Sequence, residues 1–356
     1  MSTSEDGEDP RLARLVAQRL AGPGARSVEE VVGHLLALQA QDERGFRLAV
    51  RSRSTGLTAS DVDHALSVAR TVLVTWLNRG TLHLVRTEDY RWLHPLTAPR
   101  VTAGNDRRLR QLGVGADDTE LGVDLIVGSV TAEGPLTRHE LRHRLDRAGV
   151  PAAGQALVHL LAAASLRGLV VRGPMVDGEH AYVSVSEWIG PAPPAPDRVE
   201  ALGMLARRYL TGHGPASARD LAAWAGITLS DARGGLATIA DELVESPCGI
   251  RLRSAPVPTG GFPPLRLLGA FDPLLHGWVS RAPFVGDRPG VVTSNGIFRP
   301  VVLAGGRVVA TWGLPGGVVT VDPLERIAPR QRKALAAEAA DVLAFLGLPS
   351  RPVAYR

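Results

Sequence analysis

One short pattern recurs along this chain and limits what it can fold into. Gly134-Pro135-Leu136-Thr137-Arg138-His139-Glu140-Leu141 is answered by Gly214-Pro215-Ala216-Ser217-Ala218-Arg219-Asp220-Leu221. Weaker echoes are Ser27-Val28-Glu29-Glu30-Val31 and Thr58-Ala59-Ser60-Asp61-Val62. Each reads Ser or Thr, two residues, a carboxylate, then an aliphatic. That is a capping box: the hydroxyl bonds the N3 amide while the carboxylate reaches back to the cap. In the two strong copies a second helix and a hairpin are predicted to follow. Helix, turn, helix, hairpin is the order of a winged helix, a module that mostly reads nucleic acid. Several in one chain predict a protein shaped around DNA.

At 356 residues the chain has room for two to four domains. No apolar run is long enough to span a bilayer. Met1 to Pro10 is acidic and polar, unlike a signal peptide. A cytoplasmic, nucleoid-associated protein with no membrane partner is expected. Cys248 is the only cysteine, which excludes an internal disulfide, a thiolate zinc finger and a four-cysteine iron–sulfur cluster. The net charge is +4 and the pI about 9.8. Lys333 is the only lysine, so 39 of the 40 basic residues are arginine. Arginine-rich coding is the plainer explanation, and phosphate contact, which the planar guanidinium suits, is the functional one. A Schiff-base enzyme built on this chain would have to use Lys333.

Four regions follow from the pattern. Residues 1–123 form a first winged-helix unit with extra helices. It has a short helix over 11–22, a second from Ser27 to about Gln41, and a third from Thr58. Arg70 to Trp76 reads equally as helix or strand, and Thr81–Val85 as an alternating strand. Residues 124–196 form a second unit, with a helix from Thr137, a recognition-type helix over 152–167 and a wing turning at Asp177-Gly178. It ends in a proline-rich connector, Pro191 to Pro196. Residues 197–255 form a third unit, with helices over 198–209, from Ser217 and over 230–241, then a strand pair. Residues 256–356 alternate strand-like segments with Gly and Pro and close with a helix over 331–346, which reads as a small β-domain.

His139-Glu140-Leu141-Arg142-His143 matches the zincin pattern of two helical histidines around a carboxylate. Glu140 is already explained by its capping box with Thr137. The equivalent unit has Arg219 and Asp220 and no histidine, and Arg138, Arg142 and Arg144 crowd the place with positive charge. No metal is expected there. Gln39-Ala40-Gln41 is different. The stripe Val28, Val32, Leu35 continues to Gln39, where an aliphatic residue belongs, and a buried amide needs a partner. A backbone clamp at a helix end is the plainer explanation. Gln41 would share a face with Gln39 only if the helix ended there, and Asp42-Glu43-Arg44-Gly45 is a plausible ending. Thr81 and His83 share one face of their strand. Arg107, Arg108 and Arg110 read as a solvated helix face or a phosphate grip. Aromatics, at 4%, are thin for a single-strand stacking platform. There is no nucleophile elbow, P-loop or dinucleotide fingerprint.

Four segments together resemble the AlkZ/YcaQ-type alkylpurine DNA glycosylases: Leu35–Gln41, Asn78–Val85, Leu267–Leu275 and Asn295–Leu303. They span most of the chain in order. The resemblance implies an α+β fold of three tandem winged-helix units and a C-terminal β-domain, forming a C-shaped basic surface. It also implies a catalytic Gln-x-Gln motif, here Gln39 and Gln41 around the small apolar Ala40. The YcaQ branch has an acidic residue in the second place, so Gln41 points to the AlkZ branch, which is associated with self-resistance to DNA-crosslinking natural products. Thr81, His83, Arg107, Arg108, Arg110 and Arg299 are the DNA contacts to test. The implied activity is cofactor-free, monofunctional excision of N7-alkylated purines from double-stranded DNA by a monomer. A purine alkylated at N7 carries a positive charge and leaves without an acid. The enzyme has to position a water and stabilise an oxocarbenium-like sugar. A bulky or cross-linked adduct cannot be flipped into a snug pocket, so an open cleft is expected. The competing class is a non-catalytic DNA-binding regulator, with a zincin hydrolase a distant third.

Overall fold

The computed structural model describes residues 9–191, 196–258 and 260–356. Most of the acidic start and most of the proline-rich connector therefore lie outside the described residues. Helix α1 (Pro10–Ala17) starts under Asp9, whose carboxylate accepts from the Arg11 amide. Helix α2 (Val28–Leu35) starts at Ser27, which accepts from the Glu30 amide at 3.1 Å. This is half a box, because the Glu30 carboxylate turns to the Arg26 amide.

The helix expected to reach Gln41 ends at Leu35. Leu36 takes φ 66°, ψ −47°, and the Ala37 amide donates to the Leu35 carbonyl at 2.8 Å. That is a γ-turn of the rare, strained hand. It leads into a short strand, β1 (Leu38–Gln39). Asp42 then caps a new helix, α3 (Glu43–Arg51), where the sequence reads as an ending. Helix α4 (Ala59–Ser67) carries a complete Thr58–Asp61 capping box. The ambiguous Arg70–Trp76 stretch resolves as strand β2 (Val72–Leu77), which turns into β3 (Thr81–Arg86). Helices α5 (Thr87–Gln111) and α6 (Ala116–Glu133) follow.

The second region gives α7 (Arg138–Arg147), α8 (Gln155–Leu166), β4 (Val170–Val176), β5 (Glu179–Ser184) and a short α9 (Val185–Trp188). The third gives α10 (Arg198–His213), α11 (Ala218–Ala225), α12 (Leu229–Thr238), β6 (Leu243–Ser246) and β7 (Gly249–Leu252). Both capping boxes are complete, with Thr137 paired to Glu140 and Ser217 to Asp220. The first two regions share one five-stranded sheet, ordered β1-β3-β2-β4-β5 and joined where Val74 pairs with Arg172. A cut between residues 123 and 124 therefore runs through a continuous sheet.

The remaining elements are β8 (Arg266–Leu268), α13 (Ala282–Val285), β9 (Val301–Ala304), β10 (Arg307–Gly313), β11 (Thr320–Pro323), α14 (Pro329–Phe345) and β12 (Ala354–Tyr355). They build a second five-stranded sheet, β12-β11-β10-β9-β8, whose last strand pairs parallel to β11. The segment 290–298 forms only one isolated bridge, Val292 to Phe298. Helix α3 packs Phe46, Leu48 and Val50 into the core of Leu267, Leu335 and Val342. Gly45 and Gly269 permit this approach: a Cβ on Gly45 would sit 2.4 Å from the Ala270 carbonyl oxygen, and one on Gly269 2.8 Å from that of Gly45. The β-domain is thus clamped to the segment that carries the two glutamines.

Candidate active site

The γ-turn at Leu36 decides the geometry of the glutamines. In a helix, residues two apart face different ways. In extended chain they share a face. Gln39 pairs with His83 across β1 and β3, and the Ala40 amide donates to the Leu82 carbonyl at 2.7 Å. The Gln39 Nε2 donates to Gln41 Oε1 at 2.5 Å. Gln39 is 5% exposed, whereas Gln41 is exposed. Asp42 follows and commits one carboxylate oxygen to the Gly45 amide at 2.5 Å.

Gln39, Gln41, Asp42 and Thr81 form one wall of an open cleft of about 840 Å³. The opposite wall comes from residues 271–281 and 295–298. Phe271 takes φ 55°, a left-handed conformation that costs a non-glycine residue about 1–3 kcal/mol. It is held there from several sides. Its amide donates to the Phe298 carbonyl at 3.3 Å, and its own carbonyl accepts from His276 Nε2 at 2.8 Å. The next residue, Asp272, is fully buried against fully buried Arg53, with oxygens 2.8 and 2.9 Å from the guanidinium. Arg53 also donates to Gln18 and to the Ala49 carbonyl, tying α1 and α3 to this loop. A buried pair so completely bonded is costly to break from one side, by about 3–5 kcal/mol. Further along, Trp278 Nε1 donates to the His213 carbonyl at 2.9 Å, and the His213 ring packs against both Tyr209 and Trp224, which also touch each other. Phe298 fills the middle of the wall, 5.7 Å from Phe271 and 5.6 Å from His276, with the Arg281 guanidinium 5.0 Å over its ring.

The cleft is cationic at its edge and neutral within. Arg79 and Arg281 line it. Among the described lining residues Asp42 is the one carboxylate. Burial pushes His276 down to about 4, reinforced by the Arg79 charge. Burial pushes His83 down to about 3. Both rings are neutral at physiological pH.

Of the residues singled out from sequence, Gln39, Gln41 and Thr81 meet in the cleft. His83 does not join them as a DNA contact. It is 2% exposed behind β1, and its Nδ1 donates to the Thr81 carbonyl at 2.9 Å, so it braces the strand. Arg299 is exposed and lines a neighbouring hollow with Asp42 and Arg44. Arg107, Arg108 and Arg110 lie in the last turns of α5, outside the cleft lining, and Arg108 donates to Gln111 and Gln155. His139 and His143 are exposed on α7, and Glu140 accepts from the Thr137 amide at 2.8 Å. Sequence reasoning passed over Arg79, Phe271, His276, Arg281 and Phe298. Three of these, Arg79, Phe271 and Phe298, stand inside the segments quoted for the resemblance. His276 and Arg281 fall just beyond one of them.

The family model described as DNA glycosylase AlkZ-like matches residues 32–345. The chain belongs to the AlkZ-like DNA glycosylase family. It is similar to the interstrand DNA cross-link repair glycosylase of Streptomyces sahachiroi, with 27% identity covering 92% of this chain and 93% of that protein. Its structure is similar to that of the Streptomyces sahachiroi DNA glycosylase AlkZ, with a TM-score of 0.76 and 25% identity across 100% of both chains. The α+β fold read from the sequence is the fold of this AlkZ-like enzyme. The chain is therefore a DNA glycosylase acting in DNA repair. Among the described residues, no helix is long and apolar enough to cross a membrane.

Proposed function

We propose that this glycosylase hydrolyses the N-glycosidic bond of N7-alkylated purines, including bulky and cross-linked adducts. Gln39 and Gln41 are its catalytic pair. The observation that carries this reading is their hydrogen bond inside an open cleft. With Gln41 Oε1 taking one hydrogen of Gln39 Nε2, the groups left over are Gln39 Oε1, the second Gln39 N–H and the Gln41 amide N–H pair. Gln39, deeper in the wall, can accept from a water. Gln41, exposed, can donate to a phosphate or sugar oxygen.

An amide is too weak a base to drive excision of a neutral purine. It suffices when the leaving group already carries a full positive charge, so the site selects labile cationic lesions through its own weakness. The cleft of about 840 Å³ is open rather than enclosed, which suits an adduct that cannot leave the helix. Arg79, Arg281 and the neighbouring Arg299 supply cationic donors for the phosphates on either side. Excision of a toxin's own adduct gives its producer self-resistance, and unhooking a cross-link is the same bond cleavage at one of two tethered bases.

The four regions 1–123, 124–196, 197–255 and 256–356 are proposed as three helix-helix-hairpin units and a β-domain wrapped around a DNA duplex by a monomer. The experiment is release of N7-methylguanine from a defined duplex without added metal. Gln39→Ala and Gln41→Ala are expected to slow it by about 100-fold or more while DNA affinity stays within a few-fold, since phosphate contacts dominate binding. Normal rates in both variants would refute the assignment.

A further inference from the structure

We propose that His276 is a further catalytic residue, whose Nδ1 holds the attacking water and takes the proton released as the new C1′–O bond forms. This rests on the reading that base release occurs in the cleft of Gln39 and Gln41, whose lining His276 shares.

The ring's tautomer is fixed. His276 Nε2 lies 2.8 Å from the Phe271 carbonyl oxygen. A carbonyl only accepts, so Nε2 carries the hydrogen and the neutral ring presents a bare lone pair at Nδ1. That atom is buried and has no hydrogen-bond partner in the protein. An unpaired buried acceptor costs about 1–3 kcal/mol, a cost relieved when a ligand brings the donor. Thr81 Oγ1, from the facing wall of the same cleft, is buried and unpartnered too. Two such atoms are the minimum set that an enclosed water needs. The ring cannot easily turn away. Phe298 meets it edge-on at 5.6 Å, and the loop behind it is pinned by Arg53 and Asp272.

The charged and titratable groups around the ring are Arg79 from the β2–β3 turn, His83 from β3, His213 from α10, and Asp272 and Arg281 from its own loop. Burial and the two arginines keep it unprotonated and ready to accept, while Asp272 opposes them. The amides of Gln39 and Gln41 orient water but take no proton. The C1′–N9 bond breaks with its electron pair returning to the purinium ring, which becomes neutral. The water oxygen bonds to C1′ and is briefly an oxonium, a far stronger acid than imidazolium. Its surplus proton passes to Nδ1, and the two cationic neighbours then favour release of that proton to solvent.

The test compares His276→Gln with His276→Asn in single-turnover release of N7-methylguanine. Glutamine reaches the position of Nε2 and can still donate to the Phe271 carbonyl, but it leaves Nδ1 empty. Asparagine reaches only as far as Nδ1. The proposal expects both variants to lose about 100-fold or more, the glutamine because it leaves Nδ1 empty and the asparagine because an amide there takes no proton. A loss confined to the asparagine variant, with glutamine at the parental rate, would show that His276 merely props Phe271. Added imidazole should restore part of the rate to His276→Gly, and no restoration overturns the proposal even where the glutamine variant is unstable. Gln39→Ala and Gln41→Ala run alongside. If they are inactive while His276→Gln excises normally, this inference alone fails. If they excise normally, the whole cleft reading fails.

Discussion

Helix α7 spells a metalloprotease motif between His139 and His143, whereas β1 and the residues after it spell only Gln-Ala-Gln, yet the proposed chemistry lies with the second. What separates the two regions is what their neighbours have already used. In α7 the carboxylate is spent on the helix cap, and both imidazoles point to solvent. Around β1 a strained turn brings two amides together and leaves an amide oxygen and N–H donors available in a cleft. A motif carries chemistry only when its polar groups have no structural duty.

Exchanging the two pairs gives the largest expected effect. Gln39→Ala should remove about two orders of magnitude or more of base release. The double variant His139→Ala, His143→Ala should excise at the parental rate, and so should the parent in EDTA. A zinc requirement, or loss of excision in the histidine variant, would reverse the comparison.

Acid separates the buried histidines from the surface. His83 and His213 are pushed down to about 3, and His34, His94 and His276 to about 4, each chiefly by burial. In the unfolded chain each titrates near 6.5. The unfolded state therefore binds more protons between those values, and stability rises with pH across that window. It is fully present above about pH 6.5 and lost as pH falls towards 4. Each ring should cost up to about 2 kcal/mol at pH 5. Urea melts from pH 7 to 4 should show the fall, and His213→Phe should make it shallower. A flat profile would mean the rings are not neutral in the folded protein.

The repeating capping boxes were legible because they are local: a hydroxyl, a carboxylate three residues on and an aliphatic settle a helix start without tertiary help. The order of elements in the second and third regions was legible for the same reason. The end of α2 was not. It stops at Leu36, a residue with no turn preference, in a conformation imposed by packing. The apolar stripe therefore ran on to Gln39 and hid the strand that aligns the glutamines. Only the end of helix α5 was read, as the helix face of Arg107, Arg108 and Arg110, because Pro95 and Pro99 interrupt the pattern before it. The shared sheet of the first two regions rests on pairing between Val74 and Arg172, ninety-eight positions apart, which no local pattern encodes. The far wall was invisible as a wall for the same reason: Phe271, His276 and Phe298 meet Gln39 only through the clamp between α3 and β8. Replacing Thr137 by Ala probes the legible part. It should cost about 1 kcal/mol and roughly 2 °C of Tm, with excision unchanged. A loss of activity without a loss of stability would show that α7 does more than fold.

The smallest expected effect is none at all, and it bears on how the bond is broken. Strand cleavage by β-elimination requires an amine that forms an imine with the opened sugar. Lys333 is the only lysine. It is exposed on α14 and is not among the residues lining the cleft. The arginines that do line it stay protonated and cannot serve as nucleophiles. Direct attack by water needs no amine, which agrees with a cleft lined by amides and a neutral imidazole. Damaged duplex treated with the enzyme should stay unbroken until alkali or an abasic endonuclease is added. Borohydride should trap no protein–DNA adduct, and Lys333→Ala should excise at the parental rate. An adduct that disappears in Lys333→Ala would place an amine in the reaction and remove the role given to the two glutamines.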